Sequence, residues 1–108
     1  MPDQDLAKQR RFLLQVEQGV RLANTEIIHQ RIPHLSTESI LPFAVSVARL
    51  RARYLEAAFR FSEKEHGDPL DEPEIDALRR TREMYEEARD AFDALLHAIE
   101  RGYVDLDD

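Results

Sequence analysis

The chain contains no cysteine. That absence removes disulfides, thiolate zinc sites, iron–sulfur clusters and thiol nucleophiles together. Glycine (3) and proline (5) are scarce, so little interrupts long helices. The longest apolar runs, such as "ILPFAV", stop far short of the ~20 residues that span a bilayer. The opening "MPDQDLAKQRR" lacks the apolar segment of a secretory signal. A cytoplasmic chain with no membrane partner is the expectation. Positive charge is also short: 15 Lys and Arg stand against 22 Asp and Glu, a net charge of −7. Binding nucleic acid depends on cations that neutralise phosphates, so no nucleic-acid partner is expected. The clusters Arg10/Arg11, Arg49/Arg51/Arg53 and Arg79/Arg80/Arg82 read as solvated helix faces. Phosphate loops and dinucleotide fingerprints are missing. Ser36, Ser39, Ser46 and Ser62 have neither a glycine-flanked elbow nor a His–Asp pattern around them. Nothing in this inventory points to an enzyme.

What the chain does have is helical periodicity. At 108 residues, 43% hydrophobic and 34% charged, it is the size and composition of one globular domain. Leu6, Leu13, Val16, Val20, Ala23 and Ile27 follow alternating steps of three and four, with Gln9 filling one slot. This spacing predicts a first helix over 4–30. Asp3 is its candidate N-cap, and Pro33 its stop. Leu14, Leu22 and Ile28 lie off the main stripe.

A second helix is predicted over 39–66, capped by Ser36, Thr37 or Ser39 and ended by Gly67. It carries two stripes. Phe43, Val47, Leu50, Tyr54, Ala57 and Phe61 form one; Leu41, Val45, Ala48, Ala52, Leu55 and Phe59 form the other, on roughly the opposite side. Such a helix needs cover on nearly every side, which two neighbours supply incompletely. Arg51 lies within the apolar arc. Its stem is expected to pack while its head reaches water; Glu17, Glu26 or an acid of the third helix are candidate partners.

"HGDPLDEP" reads as a turn. Asp71 and Glu74 make a capping box, with Pro73 in the first turn of a third helix over 72–101. Gly102 stops it, Tyr103 and Val104 fold back over its last turn, and 105–108 is expected to be a frayed acidic tail. The expectation is therefore all-α: a single domain of three antiparallel helices, an up-down-up bundle completed by dimerisation.

Two Glu-x-x-His motifs, Glu26–His29 and Glu63–His66, would each place both side chains on one helix face. The pattern resembles the ligand motif of ferritin-like di-iron carboxylate proteins, including short ones that build the site across a dimer. That resemblance, confined to four residues, implies iron or another divalent metal held by Glu26, His29, Glu63 and His66 in a helical core. Both motifs fall at helix C-termini, so antiparallel helices would set the two pairs at opposite ends. The segment "RFSEKEH" (Arg60 to His66) resembles the Arg…His motif of HEPN ribonucleases. Phe61 stands where that family has a polar residue, and net acidity opposes RNA.

The favoured expectation is a non-enzymatic protein–protein interaction module needing no cofactor: an adaptor, regulator or small structural subunit. Its contacts are assigned to Leu41, Val45, Ala52, Leu55 and Phe59 of the second helix and to the corner Glu26, His29 and His34. Its partners would be a second copy of itself and another protein. A metal-binding ferritin-like protein is the alternative.

Overall fold

The computed structural model describes residues 2–107. Three α-helices dominate them: α1 (Pro2–Arg31), α2 (Thr37–Phe59) and α3 (Glu72–Glu100). Two-residue strands β1 (His34–Leu35) and β2 (Asp105–Leu106) pair in parallel. The chain divides into two compact units, 1–36 with 98–108, and 37–97. The all-α expectation holds. Among the described residues no helix is long and apolar enough to cross a membrane.

In the first unit, α1 begins at Pro2. Proline's fixed φ suits the first helical position, so Asp3 lies inside the first turn rather than capping it. Asp3 and Asp5 there, and His29 and Arg31 in the last turn, complement the helix dipole. The Ile32 N–H still donates to the Ile28 carbonyl at 2.7 Å before Pro33 ends the run. None of the 30 residues of α1 is buried.

The end of α3 belongs to the same unit. Gly102, at φ 80°, turns the chain in a left-handed conformation open to glycine. Its N–H donates to the Ile99 carbonyl at 3.0 Å, and the Tyr103 N–H to the Ala98 carbonyl at 2.9 Å. Together these form the paired bonds of a Schellman cap. Val104 follows, only 5% exposed. Of the segment read as a frayed tail, residues 105–107 are instead paired, Asp108 lying outside the described residues: His34 lies beside Asp105 and Leu35 beside Leu106. The Asp107 N–H donates to the Leu35 carbonyl at 2.7 Å. The bonds join residues about 70 apart in sequence, beyond the reach of local pattern.

In the second unit, Phe43 meets Phe92 edge-on with ring centroids 5.2 Å apart. Tyr54 lies near-parallel to Tyr85 at 6.2 Å. Early α2 thus faces late α3 and late α2 faces earlier α3, so the two helices run in opposite senses. The first α2 stripe supplies this contact, with Val47 buried at 8% exposure. The α-helix stops at Phe59, seven residues before the expected end at 66. Beyond Phe61 the next large apolar residue is Leu70, so no apolar face remains to hold a helix in place. The chain passes instead through two short 3₁₀ turns, Arg60–Glu63 and Glu65–Gly67, separated by extended Lys64. This route brings Leu70 to burial, at 7% exposure.

The start of α3 follows the capping-box expectation. The Glu74 N–H donates to the Asp71 carboxylate at 2.9 Å, and the Asp71 N–H to the Glu74 carboxylate at 3.0 Å. Two otherwise orphaned donors are satisfied reciprocally.

Candidate functional site

The second stripe of α2 faces solvent. Leu41, Val45, Ala52, Leu55 and Phe59 are all exposed, and Phe59 reaches 63%. The stripe arises because α2 is apolar on two sides while α3 covers one. Near the start of α2, Leu41, Pro42 and Val45, with Glu38, Ser46 and Arg49, line a shallow groove of about 570 Å³.

A second concavity, of about 390 Å³, lies between α2 and α3 and includes Arg53, Glu56, Arg60, Leu70 and Glu74. Its charged lining is two acids and two bases. Glu74 is also engaged elsewhere. Lys64 Nζ sits 3.0 Å from its carboxylate. The Asp71 backbone N–H, then Lys64, hold the Glu74 carboxyl below its ordinary range. The same hydrogen bond to Glu74 raises the Lys64 ammonium. This recess is a helix-capping device first.

Arg51 is exposed. Its Nε donates to the Tyr85 hydroxyl at 3.0 Å, and its guanidinium carbon lies 5.2 Å from that ring's centroid. Arg89 lies 5.4 Å from the same centroid. Its hydrogen bonds to Asp90, and next to Tyr85, raise its pKa further. Tyr85 is thus a hub for two cations, a role that helical spacing alone did not assign.

Glu26 and His29 lie three apart within α1, whereas Glu63 and His66 fall outside the α-helices. His29 Nδ1 faces the Asp105 carboxylate at 3.4 Å, while Glu26 is exposed on α1. Glu63 closes the first 3₁₀ turn, and His66 stands in the second with φ 56°. The helix that was to align Glu63 with His66 does not extend to them, so the spacing of three loses its meaning there. Among the described residues no group of three or more His, Asp or Glu side chains is placed to hold a metal. His34, on β1, meets Asp107 with Nδ1 2.6 Å from Oδ2.

Residues 29–35 therefore form a clasp, in which β1 and two histidines engage the segment 105–107. Sequence reading singled out His29 and His34 but missed Asp105 and Asp107, because nothing in the acidic terminal run distinguishes a partner from a tail. No known protein family matches the chain, and neither a curated protein nor a solved structure does so.

Proposed function

We propose that this protein is a non-enzymatic interaction module that docks another protein along the exposed α2 stripe and assembles with a second copy of itself. The exposure of that stripe carries the reading. Soluble monomers rarely leave contiguous apolar surface uncovered, and Leu41, Val45, Leu55 and Phe59 are each 48–63% exposed. In this reading the three antiparallel helices form an up-down-up bundle whose remaining apolar faces are covered when two chains meet. The groove at Leu41, Pro42 and Val45 receives an apolar anchor of the docked protein, the feature that usually dominates binding energy.

The test is binding of co-purifying proteins, re-purified singly, to the wild-type chain and to Leu55→Glu. A partner whose affinity falls at least tenfold for Leu55→Glu supports the reading. Partners that bind both chains equally overturn the assignment to α2. Sedimentation at tens of micromolar tests self-association separately: a mass near 12.6 kDa overturns it.

A further inference from the structure

The stripe of α1 follows a heptad pattern over four repeats, apolar at every first core position and at two of the four second ones. Leu6, Leu13, Val20 and Ile27 occupy one core position, called a. Gln9, Val16, Ala23 and Gln30 occupy the other, d. A repeat of 3.5 residues kept for four heptads follows a left-handed supercoil, the geometry of a coiled coil. The apolar members of this stripe other than Ala23 are 45–60% exposed. The half-buried residues of α1, Asn24, Thr25 and Ile28, all lie outside a and d. The stripe has no cover within its unit, and a helix about 45 Å long gains most of its stability from packing such a face.

We propose that α1 is the self-association element, pairing with α1 of a second copy in parallel and in register as a two-stranded coiled coil. This rests on the self-association part of the reading above and adds which element pairs, and in which direction. Two independent features select the direction.

The first is charge. In a parallel pair each g residue faces the e residue five positions later in the other copy. Asp5 then meets Arg10, and Glu26 meets Arg31, each twice by symmetry. The intervening pairs, Phe12 with Glu17 and Gly19 with Asn24, oppose no like charges. In an antiparallel pair g faces g and e faces e. The charged g residues, Asp5 and Glu26, are both acids, so no g–g ion pair exists. At full overlap Glu17 meets its own counterpart.

The second is the pair of glutamines. In the parallel arrangement Gln9 faces Gln9 and Gln30 faces Gln30, so each amide finds a partner with both donor and acceptor. Antiparallel at full overlap, Gln9 faces Ile27 and Gln30 faces Leu6, which buries amides against aliphatic chains at a cost. Val20 and Ile27 at a, both β-branched, also fit the two-stranded form. Glu26, exposed and unmatched within its own chain's motif, acquires a use: it pairs across the chain boundary.

The absence of cysteine makes the test clean. Leu13→Cys and Val20→Cys are each oxidised with copper phenanthroline and run on non-reducing gels, with Leu14→Cys, outside a and d, as background. Circular dichroism checks that each variant keeps wild-type helicity. In-register parallel pairing places each new thiol against itself, so both single variants cross-link severalfold above Leu14→Cys. Cross-linking only when Leu13→Cys is mixed with Ala23→Cys overturns the proposal in favour of antiparallel pairing. A dimeric mass with neither variant above background overturns it while leaving self-association intact; a monomeric mass overturns both. Glu26→Arg should weaken the dimer on the order of fivefold, and Glu26→Arg with Arg31→Glu should restore it. A double variant no tighter than the single one overturns the parallel charge pairing.

Discussion

Helices α1 and α2 begin from similar material and end in different states. Both carry apolar residues at three- and four-residue steps. The stripe of α2 that contains Phe43, Val47 and Tyr54 is covered by α3, with Phe92 and Tyr85 as its counterparts. The stripe of α1 stays exposed throughout its unit. The difference teaches that periodicity states that a face requires cover without stating what covers it. Where a short, well-capped turn returns the chain, as at Asp71 and Glu74, the cover comes from the same molecule. In α1 the stripe of Leu6, Leu13, Val16, Val20 and Ile27 stays 45–60% exposed.

The comparison breaks most sharply at Phe92. Phe92→Ala removes the edge-on contact with Phe43 and should lower the unfolding free energy by about 2 kcal/mol, less than for a fully buried phenylalanine because Phe92 retains some exposure. Leu14→Ala in α1, where the side chain is 55% exposed, should change it by less than about 0.5 kcal/mol. Urea unfolding of the two variants measures both, and equal losses would erase the distinction between the two helices.

The turn that returns the chain comes next in size. Asp71→Ala removes the N-cap of α3 and should cost about 1 kcal/mol, read from the same urea curves. Its partner gives a pH signature. The Glu74 carboxyl is held below its ordinary value of 4.5 by the Asp71 N–H and then by Lys64. A carboxyl lowered in the folded state stabilises above its unfolded pKa, and that contribution is lost as pH falls through the folded value. The urea midpoint of wild type should therefore drop more steeply below about pH 4.5 than that of Glu74→Gln.

The smallest effect is expected at the clasp of β1 and β2. His34 and Asp107 are both exposed, and exposed pairs contribute on the order of 0.2–1 kcal/mol. His34→Ala should leave global unfolding nearly unchanged while accelerating amide exchange at the Asp107 N–H, which donates to Leu35. Unchanged exchange there would mean that the backbone pairing holds without the side chains.

Much of this was legible in the sequence. The stripes of Leu13–Val20 and Phe43–Tyr54, the Asp71–Glu74 box and the Gly102 stop are all local signals, set within one or two helical turns. The errors came where local signals gave out. "RFSEKEHG" continues the charge pattern of a helix but has no apolar face, so α2 stops at Phe59 and the Glu63–His66 pairing disappears with it. Asp105 and Asp107 looked like solvated tail residues because their histidine partners lie about 70 positions away.

The sequence by itself determined that the chain is helical, where α1 ends, where α3 starts and ends, and which faces are apolar, because capping, proline and periodicity act within a few residues. Only the tertiary structure decided which stripe of α2 meets α3, that Tyr85 takes up Arg51, and that His29 and His34 face Asp105 and Asp107. Those outcomes depend on contacts between segments far apart in the chain, where many pairings share the same local pattern and packing selects among them.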